Sequence, residues 1–303
     1  MPLFNGRDVI GRCLETIPDH VEAIVVDDGS TDGAPDLVAA RFPFVRILRN
    51  SSNLGFGATA NRGLQNASGA VRVVLNSDAR LRPGALDELA GAFRDQRVGI
   101  AGARLVFPDG SHQTSAASFP TPGRTLAGSF LLNEMYRSLW PRGRFRWELG
   151  MARRDHDRDR DVDWVMGTCI AIRDLCLQDV GGFDEAYFMY VEETDLCWRA
   201  HSAGWLVRYV SSSVVEHEGG GSSGDPSQHA ERLLSSEARF MLRSYGPAGL
   251  ERWAMARLIG SAAKTVILLP VMALDRRLRA RWRWQWAALR YIGGRRWRSS
   301  ASA

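Results

Sequence analysis

Short apolar runs rich in β-branched residues alternate with helical patterns through the first 110 residues of the chain. Strands covered by helices on both faces are apolar throughout, so this alternation predicts an α/β fold with a mostly parallel sheet. The predicted strands are 23–26, 45–48, 71–75 and 98–103, and the predicted helices are 34–41, 58–67 and 83–96. The chain opens with MPLFNGRD, and a first strand of ordinary length would have about four or five more apolar residues before Pro2.

The composition is that of a globular protein. Of the 303 residues, 45% are apolar and 24% are charged, which excludes intrinsic disorder and a polytopic membrane protein for the whole chain. The four cysteines, at 13, 169, 176 and 197, are too scattered for a disulfide framework and lack the C-x-x-C spacing of a zinc site. We therefore expect a reducing, cytoplasmic environment. No charged start with a following apolar run precedes the first helix, so we expect no cleaved secretory signal.

The net charge of +5 is unevenly distributed. Nine arginines and no acidic residue lie from Arg276 onward, so residues 1–275 carry a net charge of −4. The basic character belongs to the C-terminal tail and does not indicate a nucleic-acid-binding surface spread over the fold. We expect no nucleic-acid partner.

A pair of carboxylates, Asp27 and Asp28, stands where the strand 23–26 gives way to a Gly-Ser turn. Open parallel sheets bind ligands at the carboxyl ends of their strands, where carboxylates can accept hydrogen bonds from a nucleobase or a ribose hydroxyl. An Asx turn followed by a helix cap explains the same residues equally well.

The segment 55–60, GFGATA, matches the dinucleotide pattern G-x-G-x-x-A, with Asp78 about twenty residues further on. In that fingerprint the first glycine directly follows the strand, so that the helix N-terminus meets the pyrophosphate. Here residues 50–54 intervene, and a complete βα unit ending in Asp27 and Asp28 already precedes the motif. A nicotinamide-dependent dehydrogenase is therefore disfavoured.

Two separate positions could hold a divalent cation. Asn76-Ser77-Asp78 closes the most apolar strand, and a carboxylate at such an edge can bind a hard cation that bridges two phosphates. His217 follows the run SSSVV and precedes three glycines, which suits a metal ligand beneath a closing loop. Considered singly, each residue is as well explained by a turn aspartate or a surface histidine.

Three acids occur within four residues at Glu192, Glu193 and Asp195, at the start of a predicted helix 192–203. An acidic first turn is ordinary helix capping. The spacing also lets one carboxylate face a cleft while its neighbour braces the helix, since successive helical residues are about 100 degrees apart. A carboxylate in a cleft could act as a general base.

Two segments lack periodicity. Residues 107–161, ending in a mixed-charge run, predict a mobile insertion, and the glycine-rich residues 218–227 predict a flexible loop. Between them we expect order over 163–174, a Gly-Gly turn at 181–182 and a strand at 205–210. A helix at 228–245 follows.

Six motifs in this order resemble the family 2 glycosyltransferases, and within them the bacterial rhamnosyltransferase-like branch. They are VVDDGSTDG, NLGFGATANRG, VLNSDA, VDWVMGTCIAIR, GGFDEAYFMYVEETDLCWRAHSAGW and VVEHEGGGS, and the resemblance extends from about Pro2 to Tyr245. It implies a GT-A fold, a Rossmann-like sheet joined to an acceptor-binding half. It also implies transfer of a sugar from a nucleoside diphosphate with inversion at the anomeric carbon.

The resemblance also implies roles for particular residues. Nucleotide-sugar contacts are expected from Asp27, Asp28, Asn61, Asn76, Asp78, Trp164 and Gly167. Asp78 and His217 would hold Mn²⁺ or Mg²⁺, and Asn76 replaces the first acid of the D-x-D-type motif. Glu193 stands where the family usually has the aspartate that serves as base, so Glu192 or Asp195 could share that work.

The implied activity is transfer to a glycan or lipid-linked acceptor in cell-envelope polysaccharide synthesis, from a dTDP- or UDP-sugar, with dTDP-rhamnose the first donor to test. The short first strand and the glutamate at the base position leave an alternative open. This alternative is a non-catalytic protein of the same fold that binds sugar nucleotides or acts as a scaffold.

The C-terminal region differs in character from the rest. The apolar stretch 258–274 contains Lys264 and Pro270, which favours an interfacial or packing helix over a membrane span of about 20 residues. In the next segment Leu278, Trp282, Trp286 and Leu289 fall on one helical stripe beside arginines. This pattern predicts peripheral binding of 276–298 to an anionic membrane surface at the inner face of the cell membrane, although a basic helix packed on the protein is an alternative.

The expected domains are a glycosyltransferase domain at 1–245 and a helical basic tail at 246–303. Within the first, 1–105 would form the nucleotide-binding half and 106–245 the acceptor and catalytic half.

Overall fold

The computed structural model describes residues 1–129, 156–219, 226–270, 276–295 and 297–298. The strands in these residues are β1 (Pro2–Leu3), β2 (Ile24–Asp27), β3 (Arg46–Arg49), β4 (Val71–Leu75), β5 (Ala79–Leu81), β6 (Val98–Val106), β7 (Ala116–Ala117), β8 (Arg160–Asp161), β9 (Trp164–Val165), β10 (Cys169–Arg173) and β11 (Leu206–His217). The α-helices are α1 (Arg7–Leu14), α2 (Ala34–Arg41), α3 (Phe56–Asn66), α4 (Ala85–Gly91), α5 (Pro122–Ser129), α6 (Asp174–Val180), α7 (Glu192–Ser202), α8 (Pro226–Leu268) and α9 (Arg276–Gly293).

These elements form two compact units. The first contains the described residues of 1–117, 156–188 and 192–219, and the second contains 118–129, 189–191 and the described residues from 226 onward. The expected α/β class with a helical C-terminal region is confirmed. The division into a domain at 1–245 and a tail at 246–303 stays a prediction.

The first unit contains two larger sheets. In one, β1, β2 and β3 are parallel, as the alternation of strands and helices predicts. The other has the order β4-β10-β6-β11-β5, with β8 paired to β11. Within it β11 runs parallel to β6, and β10 is antiparallel to both β4 and β6. Because β10 is antiparallel to both of its neighbours, β4 and β6 run in the same direction, and β11 runs with them. The carboxyl ends of these three strands therefore lie at the same edge of the sheet.

The strand β11 is longer than the prediction of 205–210. It continues to His217 past an irregularity between Val210 and Val214, where the pairing with β6 shifts register. The Ser211 hydroxyl and N–H bind Asp159, and the Ser213 hydroxyl donates to the carbonyl of Ala85. Local hydrogen bonds thus satisfy a polar stretch that has no strand-like alternation.

The first strand is short in the structure, and a cavity lies beside it. β1 has two residues, and the α-amino group of Met1 donates to the carbonyl of Ile24 at 2.8 Å. Burial lowers the pKa of this amino group to about 6. A cavity of about 180 Å³ is lined by Met1 and by residues of β2, α3 and β4, among them Ile24, Leu64 and Val73. Among the described strands, β1, β2 and β3 pair only with one another and not with the strands of the second sheet.

The predicted insertion at 107–161 is partly ordered. Its described residues include β7, α5 and β8, and the small sheet pairs β7 with β9. The prediction for 130–155 lies outside the described residues, as does that for 220–225 in the glycine-rich loop. The four cysteines are free and buried, in line with the expected absence of a disulfide framework.

The second unit is helical. α8 extends well beyond the predicted helix 228–245 and is interrupted at Gly246, whose φ of 68° and ψ of −175° are followed by Pro247. The indole of Trp253 is fully buried and donates to Glu237, which also pairs with Arg257. α5 and α9 both pack against α8.

The face of α9 that packs inward is not the predicted stripe. Its buried residues are Ala287, Ala288, Tyr291 and Ile292, whereas Trp286 is 45% exposed with its ring stacked on Trp282. Leu278 lies outside the residues whose side chains are described. In the described part of the chain, no helix is both long enough and apolar enough to cross a membrane.

Candidate active site

The polar residues after β4 meet the segment before β10 at one edge of the second sheet. Leu75 pairs with Cys169, and the N–H of Asn76 donates to the carbonyl of Thr168 at 2.9 Å. His217, the last residue of β11, lies opposite Ala79 in the pairing of β11 with β5. Strand topology therefore brings Asn76, Gly167 and His217 to the same edge although they are far apart in sequence.

Asp78 and His217 form a direct pair. His217 Nε2 lies 3.3 Å from Asp78 Oδ1, and both side chains are largely buried. Burial alone would raise the pKa of Asp78, but the hydrogen bond and charge of His217 outweigh it and lower the pKa below its ordinary value. Asp78 is therefore ionised at neutral pH.

Gln113 orients the histidine. Its side-chain oxygen Oε1 lies 3.0 Å from His217 Nδ1, so Nδ1 is the nitrogen that donates. In a neutral imidazole, Nε2 then carries the lone pair and points at a carboxylate oxygen. Such a lone pair and an anion repel each other unless a proton or a cation lies between them, and this geometry suits a divalent ion. No motif in the sequence indicated Gln113.

An unsatisfied oxygen lies two residues before Asp78. The side-chain oxygen Oδ1 of Asn76 is buried and has no hydrogen-bond partner. Buried polar atoms are almost always satisfied in native proteins, so an orphan at this sheet edge fits a ligand or ion. Among the described residues no group of three or more His, Cys, Asp and Glu side chains could hold a metal. A cation at Asp78 and His217 would need further oxygen ligands, which diphosphate and water can supply.

Glu193 lies against Gly167 at this edge. A methyl group built on Gly167 would contact Glu193 Cβ, Cγ and Cδ at 3.6–3.8 Å. Burial raises the pKa of Glu193, while hydrogen bonds from the backbone at Glu193, Gly167 and Thr194 lower it part of the way back. A carboxylate with a raised pKa is a stronger base than an ordinary glutamate. The Oε2 atom of Glu193 is buried and has no hydrogen-bond partner.

The neighbouring Glu192 is in a less favourable environment for a charge. Burial, and then the charge of Glu193, raise its pKa well above the ordinary value. Its Oε2 atom is also buried without a partner. Two buried carboxyls side by side share protons, and the backbone donors around Glu193 favour the anion there. The geometry therefore favours a protonated Glu192 beside an ionised Glu193.

Asp195 has a different set of partners from the two glutamates. It is fully buried, its Oδ2 accepts from Arg199 Nε at 2.7 Å, and its Oδ1 lies 3.5 Å from the Tyr187 hydroxyl. Arg199 also donates to the carbonyls of Val180 and Gly182. This ion pair connects α7 to the loop after α6, and a role for Asp195 as base stays a prediction.

The backbone just before the glutamates is unusual. Tyr190 and Val191 both have φ of 71°, a left-handed conformation that β-branched residues rarely adopt. Strain of this kind persists where the surrounding structure requires it and clusters at functional sites. These two residues directly precede Glu192, the first residue of α7. Sequence patterns carry no signal for such a turn.

Asp27 and Asp28 lie at the end of β2 as predicted, and both are buried. Asp28 Oδ1 accepts from Asn50 at 2.8 Å and from the N–H of Leu54, while Oδ2 accepts from the N–H of Gly55. Asp27 Oδ1 accepts from the N–H of Ser30 in an Asx-type turn. The turn interpretation thus describes the hydrogen bonds present, and contact with a nucleotide stays a prediction for both residues.

The glycine motif at 55–60 has packing reasons. Gly55 has φ of 92°, and a Cβ there would lie 2.4 Å from the carbonyl oxygen of Phe188. The N–H of Phe56, the first residue of α3, donates to that same oxygen at 3.0 Å. These contacts explain the glycine and the turn without a dinucleotide.

Asn61 is held by the loop around the Gly-Gly turn. Its amide nitrogen donates to the Phe183 carbonyl and to Glu185, and its oxygen accepts from the N–H of Phe183. Trp164 is buried in β9, three residues before Gly167, and pairs with Ala117. Nucleotide-sugar contacts from Asn61, Trp164 and Gly167 stay predictions, although Gly167 does border Glu193.

Comparisons with known proteins agree with this architecture. A mannosyltransferase from Pyrobaculum calidifontis, solved with GDP-Man and Mn²⁺, matches 96% of this chain and 85% of its own, with a TM-score of 0.56 at 17% identity. GalNAc-T7, solved with UDP, GalNAc and Mn²⁺, matches 78% of this chain and 46% of its own, with a TM-score of 0.54 at 16% identity. These likenesses confirm the expected GT-A fold.

Sequence comparison gives the family. The N-acetylglucosaminyl-diphospho-decaprenol L-rhamnosyltransferase of Mycobacterium tuberculosis is 36% identical over 222 residues, which are 69% of this chain and 70% of that protein. The family model described as glycosyl transferase family 2 matches residues 1–179. The resemblance seen in the six motifs is therefore confirmed, and the chain belongs to glycosyl transferase family 2.

Proposed function

We propose that this protein is an inverting, divalent-metal-dependent glycosyltransferase of cell-envelope polysaccharide synthesis. The observation that carries the proposal is the single sheet edge at which the Asp78–His217 pair and Gly167, the neighbour of Glu193, come together. A cation-binding pair and a buried carboxylate at one edge are what transfer from a nucleoside diphosphate to a hydroxyl requires.

Asp78 and His217 would hold Mn²⁺ or Mg²⁺, with Gln113 fixing the imidazole. Bound there, the ion would neutralise charge that develops on the diphosphate leaving group. Asn76 would contribute its unpaired buried oxygen to the ion or to the donor. Both of the structural neighbours described above were solved with Mn²⁺, which supports a divalent metal here.

Glu193 would remove the proton from the acceptor hydroxyl. The oxygen of that hydroxyl would attack the anomeric carbon from the side opposite the diphosphate, which leaves. Direct displacement of this kind inverts the anomeric centre and needs no covalent intermediate. Glu192 would be protonated beside it, so Glu193 would be the base of this pair. Asp27, Asp28, Asn61 and Trp164 would bound the nucleotide-sugar pocket, as the family resemblance implies.

The mycobacterial relative suggests the substrates. Its name specifies rhamnosyl transfer to a diphospho-decaprenol-linked sugar, so a dTDP-rhamnose donor and a lipid-linked acceptor are the first to test, with UDP-sugars next. A lipid-linked acceptor would place the enzyme at the inner face of the cell membrane, and the basic segment 276–298 would bind anionic lipid there.

A donor screen tests this proposal. Purified protein is incubated with dTDP-rhamnose, UDP-sugars and GDP-mannose, with Mn²⁺, with Mg²⁺ or with EDTA, and released nucleoside diphosphate is measured. We expect metal-dependent hydrolysis of one donor. With an acceptor present, we expect a product whose anomeric configuration, determined by NMR, is opposite to that of the donor sugar. Binding of sugar nucleotides without any turnover would instead support the non-catalytic alternative.

Variants sharpen the test. Asp78→Asn and His217→Gln should abolish both metal dependence and turnover. Glu15→Gln, which removes a carboxylate from an exposed ion pair with Arg41, should leave turnover unchanged and serves as the matched control.

A further inference from the structure

From Met255 to Leu269, at the C-terminal end of α8 and just beyond it, several large apolar side chains are exposed. Between 253 and 270 the exposed positions are all apolar, and they include Met255, which is 58% exposed, and Val266, which is 70% exposed. We call the exposed residues Met255, Ile259, Ala262, Val266, Ile267 and Leu269 the outward face of α8.

Between Ala256 and Thr265 the buried residues of this helix are small or polar. Ser261 and Thr265 are buried, and the Thr265 hydroxyl satisfies itself by donating to the Ser261 carbonyl at 2.7 Å. Such an arrangement reverses the usual pattern of a surface helix, in which polar residues face water. A contiguous apolar surface of this kind marks a contact with another apolar phase.

The helix that packs against α8 is rich in exposed arginines. α9 packs against α8 and exposes Arg279, Arg281, Arg283 and Arg290 together with Trp286. The chain has no acidic residue from Arg276 onward. Exposed apolar residues on one helix, with exposed arginine and tryptophan on the helix packed against it, suit the boundary between acyl chains and anionic headgroups.

The charge also indicates which partner covers the outward face of α8. A second copy of this chain docked through the same surface would bring two arginine-rich α9 helices together, and like charges would oppose that association. An anionic bilayer offers both an apolar layer for α8 and negative charge for α9.

We propose that the outward face of α8 inserts into the surface of an anionic membrane while the exposed arginines of α9 bind the lipid headgroups. This surface extends the interaction of segment 276–298 to α8. It rests on the proposed function only in taking a membrane as the partner.

Vesicle flotation of the full chain tests this inference. Vesicles of phosphatidylcholine alone are compared with vesicles that also contain phosphatidylglycerol, at low and at high salt. We expect binding to the anionic vesicles only. The triple variant Met255→Gln, Ile259→Gln, Val266→Gln should lower the partition coefficient by about tenfold or more at both salt concentrations, because apolar burial is insensitive to screening.

The triple variant Arg279→Gln, Arg281→Gln, Arg283→Gln should lose binding by a similar factor at low salt, and salt should affect it less than the wild-type chain. Phe44→Gln with Leu175→Gln removes equally exposed apolar side chains from the first unit and should bind vesicles like wild type. Circular dichroism confirms that each variant is folded.

Three outcomes would overturn the inference. They are unchanged vesicle binding by the α8 variant, an equal loss in the Phe44 and Leu175 control, and sedimentation showing a dimer that only the α8 variant dissociates. Donor hydrolysis by the same variants without vesicles is a separate readout. A chain that hydrolyses a donor but ignores vesicles refutes the docking surface alone, whereas one that binds vesicles but hydrolyses no donor refutes the catalytic proposal alone.

Discussion

Gln113 Oε1 accepts a hydrogen bond from His217 Nδ1 at 3.0 Å, while Nε2 of the same ring lies 3.3 Å from Asp78 Oδ1. Partners of this kind typically change metal affinity by about 10- to 100-fold when they are removed. We expect Gln113→Leu to weaken Mn²⁺ binding in the nucleotide complex by a factor in that range, with turnover partly restored at higher Mn²⁺. Titration of turnover against Mn²⁺ measures the shift.

The exposed Gln178, which bonds Asp174 on α6, offers a matched control. Gln178→Leu should leave the Mn²⁺ dependence unchanged. If Gln113→Leu lowers turnover by the same factor at every Mn²⁺ concentration, then Gln113 does not act through the metal.

Glu193→Gln removes the proposed base while keeping the shape of the side chain. General-base catalysis typically contributes about 10² to 10⁴ in rate, so we expect kcat to fall by that factor with little change in donor affinity. Because burial raises the pKa of Glu193 and the base must be ionised, wild-type kcat should fall as pH falls through this raised pKa. A pH–rate profile and a donor-binding isotherm measure both effects. Unchanged turnover would show that Glu193 is not the base and would point to Glu192 or Asp195 instead.

Glu192→Gln should change stability and not turnover. Burial raises the folded-state pKa of Glu192 above its unfolded value, so the stability that its protonated form contributes is present at low pH and lost as pH rises through the folded pKa. The amide cannot ionise. We therefore expect the variant to be as stable as wild type in acid and increasingly more stable than wild type as pH rises, with measurable turnover retained. Urea unfolding at several pH values tests this.

Asp195→Ala should act on stability. It would leave the largely buried Arg199 without its carboxylate, and breaking a buried ion pair from one side typically costs about 3–5 kcal/mol. Denaturant unfolding measures the loss. The double variant Asp195→Ala, Arg199→Met should recover part of it, since no uncompensated charge remains. A large fall in kcat without loss of stability would instead give Asp195 a catalytic role.

The amino group of Met1 makes stability depend on pH near neutrality. Burial lowers its pKa from 8.0 to about 6, so the folded state prefers the uncharged amine. The contribution of this group to stability should be full above pH 8 and should fall by about 2–3 kcal/mol as pH drops from 8 to 6. Acetylation of the amino group should remove this dependence.

The α/β class was predicted from the sequence, and the bounds of β4 and α2 were predicted to the residue. Apolar periodicity and turn residues mark these elements locally. β11 was underestimated, because local hydrogen bonds satisfy its serines at the register shift before Val214. The family resemblance named Asp78, His217 and Glu193, and the structure brings the first two into contact. Gln113 and the strained Val191 depend on tertiary packing and left no pattern in the sequence.

The insertion of β10 between β4 and β6 has a consequence for how this enzyme is made. β10 emerges from the ribosome some sixty residues after β6 is complete, yet it supplies the hydrogen bonds that join β4 to the rest of its sheet. Until Cys169–Arg173 has been synthesised, β4 and β6 lack the strands with which they pair in the described structure, and their unpaired edges would be prone to aggregate. Fragments that stop near residue 117 should therefore be insoluble, and chaperone protection during translation would matter most over this interval.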